Sequence, residues 1–390
     1  MVGKKRVIGM VFLLLFVASF WTSVASKASV KESDDDTKTM TQTYAEKLVG
    51  DEVGDIQTIL DENSSEHMSF FDMVCQLLSG KYPFSVQGIK MMVKNCVKQY
   101  YKSDLNVWKK CLMLAIFSAL FGALTQLLSY EQVGQNAAFV VRALIGTILV
   151  SVVNPLLSSA EEMLSLVIDF MEALMPVFFM SSLAANGGAT ASAGYEIVLL
   201  VIGLVNVLMS RILLPVIRLY FYSSIINWLF ADGKMGNFTE MLEVVIRWGI
   251  KGALGVVTGM NAIEGLLLPA IQKVKQNAIL KTGEAIPIIG DVASGGAETL
   301  FAVFSLIRNA VGIAGCIVIV VMCLAPIIRL LVFHFVFRLE AAVVQPMGED
   351  IMGKCFVCVA KTAGFLLRME LACILLFLVT ILILSYAMSM

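Results

Sequence analysis

Among the stretches of twenty residues that carry no charged side chain, two limit what this chain can fold into. One covers residues 309–328, between Arg308 and Arg329, and the other covers residues 371–390. A hydrocarbon core about 30 Å thick needs roughly 20 apolar residues in helical form to cross it. Only 15% of the chain is charged and 58% is hydrophobic, whereas soluble domains are about 25% charged. The sequence therefore predicts an all-α polytopic membrane protein.

The first residues have the order of a secretory signal. Lys4, Lys5 and Arg6 precede a charge-free run over residues 7–26 that ends in small residues. A basic start, an apolar run and a small-residue end are typical of a signal peptide. We predict a signal peptide at 1–26, with an uncleaved anchor helix as the alternative, and we expect the residues after it to be exported.

The charge changes sign within residues 27–110, which we predict to be an exported and mostly helical region. Residues 27–80 contain four lysines and twelve acidic residues, whereas residues 81–110 contain seven lysines and one aspartate. Four lysines of the second part repeat every four residues: Lys90, Lys94, Lys98 and Lys102. On a helix they form a basic stripe, which suits membrane lipid or an acidic partner. A solvated face of an ordinary helix is the alternative.

Residues 111–390 form the predicted multi-span helical membrane domain. Its apolar stretches cover residues 111–130, 143–160, 163–185, 197–217, 219–231, 244–268, 309–328 and 371–390. The stretch at 219–231 is too short to span a bilayer unaided. We predict six to eight membrane helices after the signal peptide, and the weaker stretches leave the topology open.

An internal repeat with an offset of about 111 residues is predicted within this domain. The matched pairs are Pro176 and Pro287, Pro215 and Pro326, and Arg218 and Arg329. Prolines and arginines are uncommon inside membrane segments, so these pairs carry more weight than apolar matches. They predict two related halves, at 165–265 and 276–376. Duplicated halves are frequent in transporters, where function lies at the interface between the repeats.

Ionisable residues inside apolar stretches are the candidate functional residues. Each costs at least about 2.5–3.5 kcal/mol at bilayer depth, so it must pair or line a wet cavity. The candidates are Asp169, Glu172, Arg211, Arg218, Glu264 and Arg329. We expect Asp169 and Glu172, which share a helix face, to be the partners of the arginines. A structural role is the alternative for Arg218 and Arg329, since each can bond a carbonyl that its proline leaves free.

Three other arginines, Arg142, Arg308 and Arg338, are expected to lie at helix ends with their charges at the membrane surface. No P-loop and no HExxH motif is present. Cys355 and Cys358 form the one CxxC, and the chain has only two histidines, so a zinc site with four ligands is not supported. We predict no catalytic residue, no metal and no cofactor. A net charge of −1 also argues against a nucleic acid partner.

Four short motifs resemble the stage III sporulation protein AE family of endospore-forming bacteria. They are Phe70-Phe71-Asp72, Gly259-Met260-Asn261 before Pro269, Ile286-Pro287-Ile288-Ile289-Gly290 and Arg308-Asn309-Ala310-Val311-Gly312. The resemblance covers the chain from about residue 70 to the C-terminus. It implies a multi-pass protein of the mother-cell membrane around the forespore. It supplies no catalytic residues that can be carried over.

The resemblance further implies an integral membrane subunit of the mother cell–forespore channel complex, a feeding-tube or secretion-like assembly. Such a complex is needed for endospore formation and late forespore gene expression. The implied partners are the other stage III sporulation proteins, AA to AH, and through them the forespore stage II protein Q. The alternatives are a stand-alone secondary transporter, which would depend on Asp169 and Glu172, and a membrane scaffold, whose basic lysine stripe would recruit partners.

Overall fold

The computed structural model describes residues 53–63, 69–79, 93–98, 100, 105–113, 116–117, 120, 131–186, 188–229, 234–257, 259, 290–345 and 350–387. All regular structure in these ranges is helical, which confirms the all-α class for this part of the chain. The predicted signal peptide lies outside the described residues, as do Lys90, Lys102, Glu264 and Pro287.

The main elements follow one another as helices of very different lengths. They are α1 (Val53–Asn63), α2 (Phe70–Leu78), α3 (Glu131–Asn186), α4 (Gly188–Asn206), a π-helical segment (Val207–Leu213), α5 (Leu214–Leu229), α6 (236–257), α7 (Gly290–Val344) and α8 (Asp350–Ala387). Short helical pieces at 93–98 and 105–113 lie between α2 and α3.

Four helical stretches of the described residues are long and apolar enough to cross a membrane. They are Phe139–Ser181, Val198–Leu229, Val303–Val344 and Ile351–Leu382. The two charge-free runs of the sequence, 309–328 and 371–390, begin inside the last two of these stretches. Four is fewer than the six to eight predicted, and the predicted stretches at 111–130 and 244–268 are only partly described.

Part of the difference in number comes from helices that do not break where a break is predicted. The stretches 143–160 and 163–185 belong to one helix, α3, which has Pro155 and Pro176 inside it. Glu161 and Glu162 separate these stretches in the sequence, but on α3 both side chains are exposed. A charged pair that points outward does not end a helix, and a proline in a membrane helix is tolerated where its neighbours satisfy the freed backbone groups.

The π-helical segment joins α4 to α5 directly before Pro215. Proline has no N–H, and its ring clashes with the carbonyl four residues earlier, which here belongs to Arg211. In the π-helical segment the backbone bonds reach five residues back, as from the N–H of Leu214 to the carbonyl of Met209. This wider turn lets the helix continue through Pro215, so the predicted stretch 197–217 and the described part of 219–231 also lie on one continuous rod.

Helices α7 and α8 form an antiparallel hairpin that is the centre of the fold. His334 Nδ1 lies 2.6 Å from the carbonyl oxygen of Ala360, and the rings of Phe337 and Phe356 pack with their centroids 5.9 Å apart. Higher residue numbers on α7 therefore meet lower numbers on α8. Helix α3 packs against α7, and α5 packs against α8.

The short N-terminal helices pack onto this core. Helix α1 contacts α3, and α2 contacts α7, with Ile56, Leu60, Phe70 and Val74 completely buried. The side-chain oxygen of Gln57 also accepts a hydrogen bond from the backbone N–H of Phe70, at 3.0 Å. The described part of the predicted region 27–110 is therefore helical, and its helices α1 and α2 are docked on the long helices.

Candidate functional site

A polar face runs along the outside of α3. Its exposed members are Thr147, Ser151, Asn154, Ser158, Glu161, Glu162, Ser165, Asp169 and Glu172. Their spacing of three and four residues, with Glu162 beside Glu161, keeps them on one side of a helix. Between residues 145 and 172 every exposed side chain of α3 is polar, apart from Pro155. The face lies entirely within Phe139–Ser181, which is apolar enough to cross a membrane.

The opposite side of α3 is an apolar stripe that packs into the protein. Its fully or almost fully buried members include Leu149, Val153, Leu156, Leu157, Leu164, Val167, Phe170, Met171 and Leu174. One of them, Leu174, contacts α7 at Gly315, where an added Cβ would stand only 2.6 Å from its Cδ2 atom. Gly315 thus allows the close approach of the two helices, and this packing fixes which side of α3 faces outward.

Helix α5 extends the polar face through two contacts with α3. The Nη2 atom of Arg218 donates a hydrogen bond to Oε2 of Glu161 at 3.0 Å, and the hydroxyl of Tyr222 donates to Oδ1 of Asn154 at 2.7 Å. The side chains of Arg218 and Glu161 remain 42% and 59% exposed. The ion pair therefore lies on the outer surface and can still meet other groups.

The partner of Arg218 is Glu161, so the predicted pairing of Arg218 with Asp169 or Glu172 is wrong. Asp169 and Glu172 are both exposed, and Asp169 accepts a hydrogen bond from the hydroxyl of Ser165 at 3.2 Å. Glu161 is absent from the predicted candidates because it lies at the edge of an apolar stretch. The signal that identifies it is its place in the same spacing of three and four residues as Ser158 and Ser165.

The remaining candidates are spread over the molecule. Arg211 is exposed in the π-helical segment. The guanidinium carbon of Arg329 lies 5.8 Å from the ring centre of Tyr100 and 6.0 Å from that of Phe333, so aromatic rings hold it by cation–π contact. Lys94 and Lys98 are exposed on the short helical piece 93–98. Among the candidates that the structure describes, only Arg218 and the residues of the α3 face are therefore brought together.

Buried ionisable residues of the α7–α8 hairpin were not among the candidates. Arg308, expected at a membrane surface, is completely buried, and its Nη2 donates to the hydroxyl of Ser305 at 3.3 Å and to Oδ1 of Asn309 at 3.4 Å. Glu340 and Glu370 are also buried. Among the described residues, neither carboxylate oxygen of Glu370 has a hydrogen-bond partner. In the sequence Glu370 lies directly before the charge-free run 371–390, a position at the edge of an apolar stretch that does not mark it as buried.

Comparison with known proteins identifies the family of this chain. A family model described as stage III sporulation protein AE matches residues 68–387. The chain belongs to the stage III sporulation protein AE family. This membership confirms the family resemblance stated from the sequence, and it indicates a role in sporulation for this chain. No solved structure matches the chain.

One curated relative is the stage III sporulation protein AE of Bacillus subtilis (strain 168). It is 22% identical to this chain over 257 residues, which are 65% of this chain and 64% of the relative. The match thus spans slightly less than two thirds of the relative's length.

Proposed function

We propose that the chain is a multi-pass protein of the mother-cell membrane around the forespore, and a subunit of the mother cell–forespore channel complex. In that complex it supports endospore formation and late forespore gene expression. Family membership carries the sporulation role. The outward polar face of α3 is the observation that favours a subunit of an assembly.

The physical argument starts from the exposed carboxylates. Glu161, Asp169 and Glu172 lie on a helix that is apolar enough to span a membrane. Against lipid tails each would cost at least about 2.5–3.5 kcal/mol. Arg218 pairs with Glu161, but the other two remain open to the outside. The face therefore needs water or a polar neighbour, as a helix has when it lines a passage between subunits.

The position of Asp169 and Glu172 disfavours a stand-alone transporter. In a self-contained transporter such residues face the interior of the bundle, and the binding site lies at the interface between the repeats. Here both side chains point away from α7 and α8. We propose instead that they meet other chains, with the stage III sporulation proteins AA to AH as the partners and stage II protein Q as an indirect one.

The order of the helices supports the proposed repeat of 165–265 and 276–376. The rod from Gly188 ends at Leu229, and α6 begins at residue 236. Shifted by 111 residues, these two helix ends fall at 340 and 347, close to the end of α7 at Val344 and the start of α8 at Asp350. We propose that the two halves have a common origin, which an experimental structure would test by superposition of the halves.

The experiment is affinity purification of the tagged full-length chain from the membranes of sporulating cells. We expect the other stage III sporulation proteins to co-purify, and we expect deletion of the gene to abolish late forespore gene expression. Absence of these proteins from the purified sample, together with normal expression in the deletion strain, would overturn the proposal.

A triple variant, E161Q/D169N/E172Q, tests the polar face within the same experiment. It removes three charges at nearly constant volume, and E240Q, at an exposed site on α6, is its matched control. We expect the triple variant to lose late forespore gene expression and partner recovery together, whereas E240Q keeps both. Loss of function with full partner recovery would instead favour the transporter.

A further inference from the structure

A cavity of about 360 Å³ opens between α5, α7 and α8, away from the polar face of α3. Three cationic side chains line it, from Arg338, Lys354 and Lys361, and the aromatic rings of Tyr220 and Trp228 lie beside them. None of the residues described as lining it is acidic. A cavity with this charge favours an anionic ligand.

The three cations differ in how far they are already neutralised. Lys361 Nζ lies 3.0 Å from Oε2 of Glu243, and Arg247 shares the same carboxylate at 3.4 Å. Lys354 Nζ lies 5.0 Å from the ring centre of Trp228. Arg338 is exposed and forms no ion pair with a described residue. Glu243 is therefore shared by Lys361 and Arg247, whereas the charge of Arg338 is not matched by a described carboxylate and stays available at the cavity.

The surface next to the cavity is apolar. Phe335, Leu339 and Val343 form an exposed ridge along α7, and the side chain of Leu339 is the most open of them. This ridge lies in the C-terminal part of the apolar stretch Val303–Val344 and flanks Arg338. Large exposed apolar residues beside a basic, aromatic-lined cavity fit a position at the membrane–water boundary. There the aromatic rings of the cavity lie at the level of the lipid headgroups, and the ridge contacts the acyl chains.

We propose that this cavity binds the phosphate headgroup of an anionic phospholipid. Arg338 offers the forked donor geometry that suits phosphate, and Lys354 and Lys361 add point charges. The acyl chains lie along the ridge of Phe335, Leu339 and Val343. Basic pockets between membrane helices bind anionic headgroups in this way, and the ridge is what favours a lipid over a free phosphate.

The test compares lipid binding by the purified full-length protein and by R338Q/K354Q, using native mass spectrometry. The probes are phosphatidylglycerol and phosphatidylcholine with identical acyl chains. We expect the wild-type protein to prefer phosphatidylglycerol. Removing two cations should lower that preference about 30-fold. The double variant K234Q/K251Q, at two exposed lysines outside the cavity, should leave it unchanged.

A second variant keeps every charge. Ala342→Trp places a large side chain in the cavity lining, and we expect it to lower the preference for phosphatidylglycerol as well. If R338Q/K354Q does not fold, Ala342→Trp tests the proposal in its place. Equal binding of the two lipids by the wild-type protein, or an unchanged preference in the folded cavity variants, overturns the proposal.

Soluble glycerol phosphate and inorganic phosphate separate the lipid from a free anion. We expect neither to displace phosphatidylglycerol when added at the concentration of the lipid, because neither can contact the apolar ridge. Full displacement by either would show that the cavity is a site for a soluble phosphate, and the lipid proposal would then be wrong.

Discussion

Helix α3 and the α7–α8 hairpin are both apolar enough to cross a membrane, yet their described acidic side chains differ in exposure. On α3, Glu161, Asp169 and Glu172 face outward. In the hairpin, Arg308, Glu340 and Glu370 are buried. Outward groups on an apolar helix need water or a polar neighbour, whereas buried groups must be accommodated within the protein.

The comparison separates two kinds of effect that a substitution can have. Changes inside the hairpin alter the packing of the protein itself, so their main effect is on the free energy of unfolding. Changes on the α3 face touch groups that are already exposed, so stability changes little, and under the proposed function the effect falls on assembly. Three substitutions test this division.

The largest effect on stability is expected for Gly364→Leu in the hairpin. A Cβ atom at Gly364 would stand 2.9 Å from His334 Nδ1 and 3.0 Å from its Cε1 atom, and the same ring lies 2.6 Å from the Ala360 carbonyl oxygen. Overpacking at such a contact should lower the free energy of unfolding by about 3 kcal/mol. Thermal unfolding of the purified protein in detergent measures this loss.

Gly203→Leu on α4 is the matched control, since no atom lies within 4 Å of an added Cβ there. Its midpoint of thermal unfolding should stay near that of the wild-type protein. Equal midpoints for the two glycine variants would contradict the close packing of α7 on α8.

A stabilising effect is expected for Glu370→Met. The carboxylate oxygens of Glu370 are buried, and neither has a hydrogen-bond partner among the described residues. Leaving a buried polar group unsatisfied costs about 1–3 kcal/mol, which an apolar side chain of similar size removes. The free energy of unfolding should therefore rise, as measured by denaturant titration.

The sporulation frequency of a strain that carries Glu370→Met then shows whether Glu370 has a role in function. A variant that is more stable and still sporulates shows that the carboxyl has no essential role. A variant that is more stable and does not sporulate shows that Glu370 acts in the function of the protein. A fall in stability would contradict the absence of a partner for Glu370.

The smallest effect on stability is expected at the Arg218–Glu161 pair of the polar face. Because both side chains are about half exposed, the pair should contribute less than about 1 kcal/mol. E161R should reduce sporulation through repulsion with Arg218, and the exchanged pair E161R/R218E should recover much of it. A double-mutant cycle of unfolding free energies measures how much the Arg218–Glu161 pair contributes to stability. A contribution well above about 1 kcal/mol would contradict the expectation that the α3 face matters less for stability than the hairpin does.

Composition and the two charge-free runs were enough to predict a helical membrane protein. They could not predict that α3 continues through Glu161 and Glu162, because a charged pair in an apolar stretch marks either a helix end or an outward face. Which of the two occurs depends on the neighbouring helices, here the contact of Leu174 with Gly315. Burial of Arg308 depends on the same tertiary packing, since its flanking residues show only that an apolar run begins after it.

The π-helical segment gives the rod from Gly188 to Leu229 a property that a plain α-helix lacks. An α-helix has one angular phase from end to end, with about 100° between successive residues. The wider turn before Pro215 shifts that phase, so the directions of the side chains on α5 are not those that extrapolation from α4 gives. Arg218 and Tyr222 meet α3 with this shifted phase. The rod therefore orients its side chains differently on α4 and on α5. Removal of a single residue from Val207–Leu213 would turn Arg218 and Tyr222 away from α3.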